Sequence, residues 1–185
     1  MMSVVSVSRE RIPDDTFIDT EDGDTTKLKL DLRSIEGHEL NRTYWIQLIQ
    51  LEGKPREIIA LPLEDHVSKW QFLLTAADVS GATANDTLEV SVQHHKGRRT
   101  VNHEFVLVGE PDANMRDQKV VPWEIELVEG LAKFFGDSNS SKITVLHVDL
   151  SQLSTHGPIT FAWKNDSLPT DTCPEREVQQ MMKVQ

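Results

Sequence analysis

The chain of 185 residues is poor in cysteine, in tyrosine and in basic charge: it has one Cys, one Tyr and 19 Lys and Arg against 30 Asp and Glu. A single cysteine excludes an internal disulfide framework. In a secreted protein Cys173 would point to a partner outside the chain, whereas in a cytosolic one it would be an ordinary thiol. No Cys/His pairing signature surrounds it, which argues against a catalytic nucleophile. The net charge of −11 at pH 7 and the brevity of the densest basic stretch, Lys96-Gly97-Arg98-Arg99, exclude a surface that tracks a phosphate backbone. No nucleic-acid partner is expected. The sequence contains no run of about 18 apolar residues, so no helix of it is expected to span a bilayer. Residues Met1 to Val7 are too few and too polar for the apolar core of a signal peptide.

Hydrophobic residues make up 38% of the chain, enough to bury a core. The length fits one large domain or two small ones. Four sequons stand out: Asn41-Arg-Thr, Asn85-Asp-Thr, Asn139-Ser-Ser and Asn165-Asp-Ser. Each has the acceptor pattern without a middle proline. Together they point to a glycosylated protein of the secretory pathway, cut from a longer precursor, with these four asparagines as glycan acceptors.

The first half reads as short strands. Leu28, Leu30 and Leu32 alternate with charged neighbours, as do Trp70, Phe72, Leu74 and Ala76, and then Leu88, Val90 and Val92; each period of two makes one apolar face. TYWIQLIQL (43–51) and REIIALPL (56–63) supply two more strands. Asp22-Gly23, Glu52-Gly53-Lys54-Pro55 and Ser80-Gly81 supply turn chemistry between them. No helical spacing interrupts this series, so an antiparallel β-sandwich is expected. Residues 94–102 lose the alternation and read as a linker. Beyond them the spacing gives a strand over 103–108 and a helix opened by Pro122 and closed by Gly136. Strands over 142–148 and 159–163 follow, then a helix begun by Pro174. This β-α-β-β-α order is a split βαβ unit that lacks its last strand.

IPDDTF (12–17), continuing as IDTEDGDTTKLKL, resembles the opening of a cadherin-like domain, the second, of the dystroglycan family. HVSKWQFLLTAAD, DTLEVSVQHH, FGDSNSSKIT and WKNDSLPTDTCP carry the similarity through the chain from about Arg11. Residues 1–10 fall outside the similarity and are expected to form an unstructured leader. The resemblance implies a cadherin- or Ig-like sandwich over 11–98 and a truncated ferredoxin-like (SEA-like) α+β domain over 99–185. The whole is mainly β with α+β, and divergence within it suggests an invertebrate member. In that family the receptor links laminin of the basement membrane to the dystrophin complex inside the cell. Both contacts are made through regions absent here, leaving the membrane-anchored part of the same receptor as the partner. The resemblance implies a plasma-membrane protein, extracellular over this region, with a structural and non-catalytic role. It also implies that Cys173 pairs with a second Cys beyond Gln185, and it places sequons at Asn139 and Asn165.

The family's SEA-like domain splits itself at a Gly-Ser bond, the Ser hydroxyl attacking the preceding carbonyl in a strained turn. Gly157-Pro158 occupies that position. Proline has no hydroxyl, so no self-cleavage is expected, and an autoproteolytic module fails on this residue. Calcium is the one cofactor with candidate ligands. Acids gather at Asp14, Asp15, Asp19, Glu21, Asp22 and Asp24, and Ala76-Ala77-Asp78 resembles the A-x-D motif of cadherin modules, with Asp86 nearby. The candidate set is Asp19, Glu21, Asp22, Asp24, Asp78 and Asp86; the alternative is a solvated acidic turn. Leu30 stands where an EF-hand would need its bidentate Glu. His94, His95 and His103 lack the spacing and partners of a zinc site. Trp45, Trp70 and Trp163 fall on strands, where core packing outweighs sugar stacking. Asp149, Ser154 and His156 show no nucleophile elbow. The competing reading of the chain is a free-standing calcium- or carbohydrate-binding β-sandwich.

Overall fold

The structure, a computed structural model, describes residues 2–4, 6–41, 44–93, 103–110, 123–151 and 157–183. The expected linker with His94 and His95, Pro122, Ser154 and His156 lie outside them. The chain divides into two compact units, the first chiefly Ser8–Pro62 and His66–Gln93, the second chiefly His94–Gln185. The first unit therefore ends at 93, a few residues before the boundary of 98 expected from the sequence.

In the first unit, a four-stranded sheet runs in the order β1 (Met2–Val4), β9 (Thr83–Val92), β8 (Lys69–Ala77), β5 (Lys29–Ser34). A three-stranded sheet runs β2 (Ser8–Arg11), β7 (Glu57–Ala60), β6 (Ile46–Ile49), and β3 (Ile18–Asp19) pairs with β4 (Gly23–Asp24). The alternation seen in the sequence is the burial pattern. Leu30 and Leu32 oppose Ala76 and Leu74 in register, and Phe72 opposes Leu88. These inward residues, with Ile46, Ile58, Ala60 and Val90, form the core. Trp45, 7% exposed, closes it at one end, stacking on His66 at 5.1 Å and meeting Trp70 and Phe72 edge-on. The long loop before β5 is pinned by Thr25, whose buried hydroxyl accepts from Phe17 N (2.8 Å) and donates to Phe17 O (3.1 Å).

The opening ten residues depart from expectation. They do not form an unstructured leader: β1 pairs in parallel with Val90, Ser91 and Val92, and β2 pairs antiparallel with β7 from Ala60 to Glu57. Each strand is too short to show a period of two. Both are fixed by backbone hydrogen bonds to strands far along the chain, which leave no local signature.

In the second unit, β10 (Phe105–Gly109) and β11 (Ile143–Asp149) flank β12 (Ile159–Asn165), and both run antiparallel to it. The outer strands are thus parallel to each other and split by the central one, the arrangement of a split βαβ unit. Helix α1 (Trp123–Phe134) buries Trp123, Ile125, Val128 and Ala132, spaced to make one stripe. Trp123 meets the fully buried Phe161 of β12 at 6.2 Å. The helix ends as its sequence dictates. Gly136 takes φ +78°, its N–H donates to Lys133 O, and the Asp137 N–H reaches back to Ala132 O. Helix α2 (Glu175–Lys183) follows Pro174. Among the described residues no fourth strand joins this sheet, so β10 is an edge with Val106, Leu107 and Val108 exposed by 56, 37 and 64%.

Candidate functional site

The acidic turns were the strongest metal candidate, and the structure does not assemble them. Asp19 accepts from the N–H groups of Glu21 and Asp22, both at 2.8 Å. Asp24 accepts from the Thr26 hydroxyl and N–H, and Asp78 from Ser80 and from Ala82 N. Asp86 accepts from Thr87 N at 2.7 Å. Asp19, Asp24 and Asp78 thus cap local turns, which is why turns of this kind select Asp, whereas Asp86 lies within β9 and holds the N–H of the next residue of that strand. The hydroxyl of Thr26 holds the Asp24 carboxyl below its ordinary value, and that of Ser80 does the same for Asp78. One contact crosses between turns: Asp22 accepts from Val79 N at 3.0 Å and ties the β3–β4 turn to the β8–β9 hairpin. Among the described residues no group of three or more His, Cys, Asp or Glu could hold a metal ion. Asp19, Glu21, Asp22, Asp24, Asp78 and Asp86 therefore form no common calcium site in this structure, and turn capping accounts for the pattern.

The sequons separate into two kinds. Asn41 and Asn85 are exposed. Asn139 is exposed too and caps the turn Ser140–Lys142, its Oδ1 accepting from Ser141 N at 2.9 Å. Asn165 differs: it is 0% exposed. Its Nδ2 donates to Asp137 Oδ2 at 3.1 Å, and its Oδ1 accepts from Ser167 N and Oγ at 2.7 and 2.6 Å. Ser167 Oγ also lies 3.2 Å from the same Asp137 oxygen. Nδ2 is the atom to which a glycan attaches, so a sugar there and the observed packing exclude one another. The expectation of a glycan at Asn165 conflicts with this geometry. The middle residue of that sequon is engaged as well, Asp166 accepting from Thr144 Oγ1 at 2.9 Å. Sequence reading missed this latch because a sequon motif says nothing of burial. Asp137, which follows the helix-ending Gly136, was the available signal.

Gly157 and Pro158 lie immediately before β12, with Pro158 exposed. A backbone carbonyl followed by proline offers no hydroxyl nucleophile at that bond. Cys173 is exposed and unpaired among the described residues. His103 does not join a metal site; its Nε2 meets Asn165 O at 2.8 Å. Trp45 and Trp163 are buried at 7% exposure. A groove of about 400 Å³ passes Tyr44 and Trp70, but the Trp70 N–H is taken by His66 O at 2.7 Å and both rings are half-buried in the aromatic cluster. No exposed stacking platform results. Among the described residues no helix is long and apolar enough to cross a membrane.

Among the described residues, sheets of four and three strands with a small two-stranded pair, followed by a small split βαβ unit, define a tandem modular protein, its first module Ig-like. The chain belongs to the dystroglycan family. Residues 2–93 match the family model described as alpha-dystroglycan third Ig-like domain, and residues 101–185 match dystroglycan domain 4. The first match starts within β1, in keeping with an ordered opening segment. It describes as a third, Ig-like domain what the sequence motifs suggested was a second, cadherin-like one. The chain is thus part of the ectodomain of a cell-surface receptor.

Proposed function

We propose that this chain is a non-catalytic, load-bearing middle of the receptor, on the extracellular side of the plasma membrane, holding the ligand-carrying region to the membrane-anchored part. Laminin outside and the dystrophin complex inside are met by other regions of the receptor. The observation that carries this reading is Pro158 at the start of β12. With no nucleophile at the Gly157–Pro158 bond, the central strand of the second sheet stays covalently joined to what precedes it. Pulling such a chain must either break ladder hydrogen bonds or expose Phe161 and Trp163 to water.

In this reading the second unit is a SEA-like domain. Its sheet is completed by a strand laid on β10 from sequence beyond Gln185, covering Val106, Leu107 and Val108. Cys173 pairs with a cysteine in that same downstream region, and Asn41, Asn85 and Asn139 carry glycans. Denaturing gels of the full receptor, labelled at the cell surface, test the proposal. One uncleaved band is expected; two fragments meeting at Gly157–Pro158 would overturn it.

A further inference from the structure

Within the first unit, strand β9 is paired with β8 along its whole length. On its other side β1 covers only Val90, Ser91 and Val92. From Thr83 to Glu89 no strand among the described residues lies on that side. Strand β2 is likewise the outermost of its sheet. Between these two open edges runs a crevice of about 370 Å³, floored by Ile12, Ile58, Leu74 and Leu88 and rimmed by Glu10 and Asp86.

The charge of this crevice is one-sided. Its cation, Arg11, is already held by Asp14 at 2.7 Å. Glu10 and Asp86 make no ion pair among the described residues. Asp86 stands directly opposite Leu74 in the ladder, so it shares with Leu88 and Val90 the face that looks between the sheets. A carboxylate pointing inward on an open strand disfavours pairing with an identical strand, because two like charges would be brought together. It favours a strand that brings a cation.

We propose that this crevice receives an extended peptide segment in which Lys or Arg and an aliphatic residue alternate onto one face. The segment adds to the open side of β9 as a further strand. Its backbone pairs with Asn85 and Glu89, the Thr87 N–H between them being held by Asp86 Oδ1 at 2.7 Å. Its aliphatic side chain enters the floor of Ile12, Ile58, Leu74 and Leu88, and its cation meets Asp86 and Glu10. This partner is distinct from the strand proposed for β10, which lies in the other unit.

The test uses the 185-residue chain, isotopically labelled, titrated with acetyl-Thr-Lys-Thr-Val-Thr-amide, in which Lys and Val share a face, and with the same peptide bearing Glu for Lys. Saturable amide shifts centred on Asn85 to Glu89 and on Arg11 and Ile12 are expected. The Glu peptide should bind about tenfold more weakly, and Asp86→Lys should invert that order. Asp86 is exposed, so the variant keeps its fold, which the unshifted amides of β5 and β12 verify. Shifts that are absent or lie elsewhere, equal binding of both peptides, or indifference to Asp86→Lys would each overturn the proposal. So would shifts of the same amides that grow with protein concentration and no peptide, since a second copy would then be the occupant.

Discussion

Replacing Asn165 by alanine removes three hydrogen bonds at once from the end of β12. The side chain is fully buried, and its partners are Asp137 Oδ2 and the N–H and hydroxyl of Ser167. Ser167 Oγ keeps its contact with Asp137, and Ser167 itself is exposed. Water therefore relieves part of the loss, leaving the Ser167 N–H and one lobe of the Asp137 carboxylate poorly served. Leaving a buried polar group unpaired costs about 1–3 kcal/mol, so about 2–3 kcal/mol is expected for the site. That is a large share of a small domain's stability of about 5–15 kcal/mol. The two units need not unfold together, so the assay is native-state hydrogen exchange read unit by unit. Amides of β12 and α1 should exchange about 30- to 150-fold faster in Asn165→Ala, with β8 and β9 unchanged. Asp137→Ala should give a smaller effect, and the double variant less than the sum of the two, because they share one bond. Acceleration below about threefold, or equal acceleration in both units, would refute the latch.

Phe161→Ala should destabilise the second unit by about 3–5 kcal/mol, measurable by urea titration, since its ring is fully buried between β10, β11 and α1. Gly136→Ala should cost about 1 kcal/mol in the same assay; the site has open space for a Cβ, so the cost comes from φ +78° alone. Asp78 is held below 3.8 by the Ser80 hydroxyl, then by the N–H groups of Ala82, Gly81 and Ser80. A lowered carboxyl contributes stability that is full above 3.8 and is lost as pH falls through its folded value. Asp78→Asn should therefore flatten the acid limb of the stability curve below pH 4 and leave its slope near neutrality unchanged. Melting with calcium and with chelator should give the same midpoint, because Asp19, Asp24 and Asp78 each cap their own turn and Asp86 holds the N–H of Thr87 within β9; a calcium-dependent rise would restore a shared site.

The strands with several turns of alternation were legible from the residues: β5, β8 and β9 carry Leu30, Leu32, Phe72, Leu74 and Val90 on one face, and that face is the core. Helix α1 was legible for the same reason at its own period, and Gly136 marked its end. β1 to β4 were not, because two to four residues cannot display a period and their pairing partners lie far along the chain. The candidate site was read less well than the fold. A cluster of acids in sequence looks alike whether the carboxylates converge on an ion or turn back on their own backbone, and only the second arrangement is found. Asn165 shows the same limit: one motif serves an exposed acceptor and a buried latch equally, and burial is decided by β12 lying between two strands.

The proposed function requires that the second sheet be an uncut scaffold whose β10 edge is completed by downstream sequence. Hydrogen exchange along Phe105 to Gly109 tests this directly, in the 185-residue chain and in the same chain extended through the following stretch of its gene. Completion predicts that the outward-facing amides of β10 become at least about tenfold more protected in the extended protein, while β11 stays as it was. Equal exchange at β10 in both proteins, or protection that appears on β11 instead, would contradict it.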